Sequence, residues 1–219
     1  MASFVAVGHD LKWAKQDAFD SVGFLWRARA DAYDANGEES RWLLDPKQHE
    51  TYAKAFREKV GRLVTLPPGM TYPQLVAAVR KLRLPGEIAR LPQSFEGHLA
   101  KELRNITFDG EEEAAKDMLA KFGDYLAIDD KIRQLEAENK HREAVQLCTG
   151  YREGESNWAF KQFDDALEKV LKINDGEFRH AVTEGQGALP RSDVAVVVLL
   201  AVAVLTYLGL RPRLLEYAV

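Results

Sequence analysis

Two Glu-x-x-His pairs, Glu138 with His141 and Glu177 with His180, are the residues best placed by type and spacing to do chemistry. On a helix such a pair puts a carboxylate and an imidazole on one face. A four-helix bundle can hold a di-metal centre with two of them and two further glutamates. The first pair lies in a solvated polar stretch, and five His among 34 acidic residues supply such pairs by chance. No metal and no cofactor is therefore expected. His141 and Cys148, seven apart, share a face but have no third ligand or orienting acid at a fixed spacing; an exposed histidine and a packed cysteine are expected. One cysteine rules out an internal disulfide and a Cys-rich zinc site. The chain has no His-Glu-x-x-His motif, no glycine-rich phosphate loop and no Gly-x-Ser-x-Gly elbow, so it is not expected to be an enzyme.

Three polar clusters are candidate binding positions. They are Glu38-Glu39-Ser40-Arg41, Glu102-Leu103-Arg104-Asn105, and Tyr151-Arg152 with Asn157-Trp158. Within them Glu39, Arg41, Arg104, Asn105, Arg152 and Trp158 are the candidate binding residues, since Arg beside Asn or Trp suits a carboxylate or a partner surface. Ordinary inter-helix hydrogen bonds and caps account for the same clusters and are the simpler expectation. Asn105-Ile106-Thr107 is a glycosylation acceptor only in a suitable secretory system.

These residues must be positioned by helices. A first helix is expected over 10–45, with Asn36-Gly37 as a candidate kink and Asp45-Pro46 as its end. A second runs from Pro46 to about Thr65, stopped by Leu66-Pro67-Pro68-Gly69. An irregular insertion, about 66–110, holds short helices near 73–82 and 93–103, then a loop with a local extended stretch. Glu111 opens a helix with the seam Ala115, Met118/Leu119, Phe122, Leu126, Ile132 and Leu135, and its first glutamates suit the macrodipole. A short segment around Ala144–Cys148 ends at Gly150. Ser156 is read as the cap of the last long helix, whose seam is Phe160, Phe163, Leu167 and Val170, continued by Ile173 and Phe178. Four long helices with complementary stripes imply an all-α bundle of the four-helix type.

Residues 194–210 read VAVVVLLAVAVLTYLGL, uncharged and apolar on every face. The run spans roughly 25 Å as a helix, near the lower limit for a ~30 Å hydrocarbon core. Arg191 before it, Arg211 and Arg213 after it, and Tyr207 near one interface suit a transmembrane helix over 191–211. The basic pair places the 212–219 tail in the cytoplasm and the bundle, 9–188, outside it. Residues 1–8 carry no export signal but fit the last turns of an upstream transmembrane helix. The net charge of −4 with mixed signs excludes nucleic acid as an expected partner.

The architecture is similar to the extracytoplasmic four-helix-bundle sensor regions of bacterial chemoreceptors and histidine kinases. More specifically, the runs DAFDSVGFLWRARADAYDANGEESRWLLD (17–45), LRNITFDGEE (103–112), HREAVQLCTGYREGESNWAFKQFDDAL (141–167) and LGLRPRLLEY (208–217) resemble actinobacterial GlnX-like membrane proteins. These runs carry over no functional residue. The resemblance implies a protein that relays amino-acid availability across the membrane, with a periplasmic amino-acid-binding protein and a kinase-pathway component as partners. Homodimerisation through the long helices is also expected. A non-signalling, membrane-tethered adaptor that assembles partners is the alternative. Gly185 and Gly187 bear on the choice, because a break there favours the adaptor and a continuous helix favours signalling.

Overall fold

The computed structural model describes residues 18–187 and 192–216, and these residues form eight α-helices, two 3-10 turns and no strand. The helices are α1 (Asp20–Leu44), α2 (His49–Leu63), α3 (Tyr72–Lys81), α4 (His98–Arg104), α5 (Glu111–Ala137), α6 (His141–Thr149), α7 (Ser156–Gly187) and α8 (Ser192–Glu216). By compactness the chain divides into two units, one ending at Phe178 and one holding the described residues from Arg179 onward.

In the first unit α1, α2, α5 and α7 form the bundle expected from their stripes. Helix α1 buries Leu25, Ala28, Ala32 and Ala35, spaced three and four apart, and the small alanines let α2 lie close along it. Because this stripe continues to Glu39 and Leu43, α1 runs unbroken through Asn36-Gly37, where a kink was a candidate. Packing on both sides outweighs the turn preference of that dipeptide. Residues 10–17 of the expected helix lie outside the described residues. At the other end Asp45 accepts the backbone N–H of Lys47, and a 3-10 turn over Pro46–Gln48 leads into α2. The helix expected from Pro46 to Thr65 is thus α2 plus a short 3-10 lead, and it stops at Leu63 because Val64 is extended.

The insertion departs most from expectation. Helix α3 starts with a capping box in which Gln74 returns to the backbone of Thr71. Helix α4 begins at His98 rather than 93, since the backbones of Thr65 and Glu96 pair in an isolated antiparallel bridge. Gly97 then turns with φ +103. The loop expected after Asn105 is present, without a strand; Glu111 captures the N–H groups of Thr107 and Phe108, and Asp109-Gly110 make the turn into α5.

The main core is aromatic. Phe122 packs 4.9 Å from Phe163, and Phe160 lies edge-on to Tyr33 at 4.9 Å and to Tyr125 at 5.6 Å. Burying each such ring stabilises the fold by roughly 1.5–3 kcal/mol. The α7 seam of Phe160, Phe163, Leu167 and Val170 is buried as expected. In α5, Leu126 is only partly buried and Tyr125 occupies the core instead. A smaller cluster joins Leu43, Ile132, Ala144 and Cys148. There Cys148 is a packed thiol, pushed up to about 11 by burial, while His141 is exposed.

In the second unit, Val196 to Leu210 of α8 present exposed apolar side chains on all sides. Among the described residues no helix is long and apolar enough to cross a membrane.

Candidate functional site

The buried stripe of α1 has an apolar middle flanked by polar residues, Ser21 before it and Glu39 after it, with Leu43 beyond. Each of the two belongs to a polar layer inside the bundle, and each layer includes a residue of α7.

In the first layer the carboxylate of Glu39 is fully buried. It accepts hydrogen bonds from the hydroxyls of Ser156, at 2.8 Å, and Tyr125, at 3.3 Å. Ser156, expected to cap α7, is instead its first residue and gives its hydroxyl to Glu39. Among the described residues no cation pairs with Glu39. The nearby Arg133 is held in a bidentate bond to Asp129, at 2.8 and 2.9 Å. Its guanidinium also lies 4.6 Å from the ring of Trp42 and 4.8 Å from that of Phe56. Burial first, and the charge of Asp129 second, push the Glu39 carboxyl up to about 8.

In the second layer the amide of Asn174 donates to Glu111, at 2.7 Å, and to Glu102, at 3.3 Å. All three side chains are fully buried. Glu111 also accepts the N–H groups of Thr107, at 2.7 Å, and Phe108, at 3.0 Å. Glu102 has fewer donors, and burial followed by the charge of Glu111 pushes its carboxyl well above the usual range. Among the described residues Glu102 Oε2 and Asn174 Oδ1 have no hydrogen-bond partner. A buried carboxyl of this kind stays protonated near neutrality, and its ionisation destabilises the packing around it.

Outside the core, the end of α2, the Thr65–Glu96 bridge and α4 enclose a concavity of about 400 Å³. Arg62, His98, Lys101 and Arg104 line it together with Glu96. Asp31 neutralises Arg62 through bonds of 2.7 and 2.9 Å and lies 3.5 Å from His98. Arg104 donates to the carbonyls of Pro92 and Ala100, and Lys101 stands 5.2 Å over the ring of Phe24. Neither makes an ion pair among the described residues, so the concavity carries excess positive charge and suits a carboxylate.

The candidate binding residues are not gathered in one place. Glu39 lies in the core, and the exposed Arg41 pairs with the buried Glu38 at 2.8 Å. Arg104 lines the concavity, and the amide of Asn105 donates to Ser21 at 2.8 Å. Arg152 is exposed at the turn before α7, where its N–H donates to Glu155, and Trp158 packs against the main core. Sequence reasoning missed Glu102 as a buried acid, together with Glu111, Asn174, His98 and Lys101. A signal for the core members was present: Asn174 follows Val170 by four along the α7 seam, as Ser21 precedes Leu25 in α1. Among the described residues no three His, Cys, Asp or Glu cluster as metal ligands. His141 bonds Glu136 rather than Glu138, which pairs with Lys140. No protein-family model, no curated protein and no solved structure matches the chain.

Proposed function

We propose that this chain is a membrane-anchored sensory module. Its bundle reads a small carboxylate-bearing solute, or a solute-binding protein carrying one, and α7 passes the response to a membrane-spanning α8. The observation that carries the reading is that α7, one helix from Ser156 to Gly187, holds a residue in each buried carboxylate layer. A shift of α7 changes the surroundings of both Glu39 and Glu102, and such layers give a bundle discrete alternative packings. Continuity of α7 through Gly185 favours relay over a loose tether, although residues 188–191 lie outside the described residues. The apolar side chains exposed around α8 support a bilayer as its surroundings. The concavity at Lys101 and Arg104 is the entry point we assign to the solute, with Glu96 available to an ammonium group. The likeness to GlnX-like proteins points to an amino acid.

The test is a thermal-shift scan of the full chain in lipid nanodiscs against single amino acids, repeated with a loaded solute-binding protein. A saturable rise, about 2.7 kcal/mol at a hundredfold excess over Kd, is expected from one amino acid or from the loaded protein. Replacing Lys101 and Arg104 together with Ala is expected to weaken an acidic ligand roughly 10- to 100-fold. No response to either addition sinks the sensory reading and leaves the adaptor. For the anchor, the chain is expected to stay in the membrane pellet after alkaline carbonate extraction, and release into the supernatant would remove α8 as a span.

A further inference from the structure

Glu102 shares α4 with the cations of the concavity. Lys101 and Arg104 line that space, and Glu102 lies about 100° round the helix from Lys101, toward α5 and α7. There Glu102 and Asn174 form an incomplete pair. The amide of Asn174 meets three acceptors with its two N–H groups: Glu102 Oε1 at 3.3 Å, Glu111 Oε1 at 2.7 Å and the Val170 carbonyl at 3.2 Å. Glu102 Oε2 and Asn174 Oδ1, the other oxygen of each group, are unpartnered among the described residues, and both side chains are fully buried. Two acceptors cannot satisfy each other while Glu102 is ionised. One proton on Oε2 makes that oxygen a donor and removes both deficits, because an acid and a primary amide join through two hydrogen bonds of opposite direction. Glu111 is already supplied by Asn174 and by the N–H groups of Thr107 and Phe108, so the proton belongs to Glu102.

We propose that this proton regulates the concavity: a carboxylate at Lys101 and Arg104 and a proton on Glu102 bind together, and the proton closes a Glu102–Asn174 pair that ties α4 to α7. The surrounding charges set the sign. From α5 Glu111 faces Glu102, and on α7 Glu177 lies one turn beyond Asn174; negative charge at either favours the proton. From α1 comes Ser21, whose hydroxyl reaches Glu102 and favours the ionised form. On α4 itself Lys101 and Arg104 oppose the proton, and a carboxylate bound to them cancels that opposition. Arg62 of α2 is already answered by Asp31, and His98, lowered by burial, is neutral in the alkaline range where Glu102 ionises. Filling the site therefore draws a proton from solvent onto Glu102, most at mildly alkaline pH, where the free chain has begun to lose it. By linkage, the solute binds less tightly as pH rises through that range. The regulatory sense rests on the concavity being the solute's site, whereas the coupling is measurable without solute, so the two fail separately.

Two measurements on the full chain in nanodiscs decide it. Glu102→Gln keeps both hydrogen bonds of the pair at every pH, since its amide donates where the acid would. Amide hydrogen exchange of α4 is expected to match in parent and E102Q at pH 6, and to be at least about 10-fold faster in the parent at pH 9. Lys101→Glu puts a carboxylate on the wall of the concavity in place of a cation. It is expected to raise the proton affinity of Glu102 about 3- to 10-fold, read from the carbon-13 signal of the side-chain carboxyl that disappears in E102Q. Lys101→Gln is expected to raise it by less. Equal exchange in parent and E102Q at pH 9 would show that no proton ties α4 to α7. A Glu102 midpoint unmoved or lowered by Lys101→Glu would disconnect it from the concavity. Either result overturns the proposal, whereas a chain that passes both and answers no amino acid or loaded binding protein sinks the sensory reading alone.

Discussion

Glu39→Gln is expected to raise the melting temperature most at pH 8.5 and by only about a third as much at pH 5.5. Below about pH 4.5 the Glu39 carboxyl is protonated in both the folded and the unfolded chain, so its ionisation costs folding nothing. Between 4.5 and about 8 the folded carboxyl keeps its proton while the unfolded one loses it, and stability falls as pH rises. Above 8 both are ionised and the penalty is constant. The gap corresponds to roughly 3–5 kcal/mol, or on the order of 10 °C in Tm for a chain of this size. Glutamine mimics the protonated acid: its carbonyl oxygen still accepts from Ser156 or Tyr125 and no charge is left in the core. Glu102 acts in the same direction, so the variant reduces the pH slope without abolishing it. His98, lowered chiefly by burial, adds stability as pH rises toward 6.5 and opposes both carboxyls, so the comparison is the difference between parent and variant at each pH. The surface acids Asp34 and Glu112 are lowered, and their contributions are lost only at more acid pH, outside this window. Thermal melts at pH 5.5, 7 and 8.5 decide the matter. Parallel curves for parent and variant would mean that Glu39 is not a neutral acid in the folded core.

Gly97→Ala is expected to be the most damaging small substitution in the insertion, costing about 3 kcal/mol or more. Its φ of +103 lies where a Cβ is strained, and that Cβ would sit 2.4 Å from the carbonyl oxygen of Leu63 and 2.9 Å from the amide of Val64. These are backbone atoms, held by the two Thr65–Glu96 hydrogen bonds of 2.9 and 3.2 Å, so they cannot withdraw without breaking the bridge. The same glycine brings His98, Lys101 and Arg104 up to the end of α2, so the concavity should be lost with the stability. Gly110→Ala is the control: its φ is +78 but nothing lies within 4 Å of its Cβ, and it should cost only about 1–2 kcal/mol. Urea melts of the two variants separate strain from collision. Equal losses would show that the approach to Leu63 is not what requires glycine.

The helices and their faces were legible because periodicity is a local property. The apolar seams of α5 and α7, the stop at Asp45-Pro46 and the packed Cys148 followed from spacing and from the chemistry of single residues. What spacing does not carry is which partners an inward-facing polar residue meets. Glu39 was singled out as a binding residue from the cluster it sits in, and only the meeting of α1, α5 and α7 made it a buried acid. Glu102 and Glu111 lie nine apart in sequence, and neither reads as one of a pair until Asn174, from a helix more than sixty residues on, joins them. The start of α4 was misplaced for the same reason: the Thr65–Glu96 bridge is a contact between segments some thirty residues apart.

By itself, then, the sequence determined an all-α chain, the number and faces of its long helices, and an apolar run over 194–210. Those depend on hydrophobic period, proline and glycine, which act within a turn or two. The tertiary structure alone decided that the polar residues of the α1 stripe join buried carboxylate layers and that Lys101 and Arg104 line a concavity. Burial and charge compensation are set by whatever packs across from a residue, and that partner comes from distant parts of the chain.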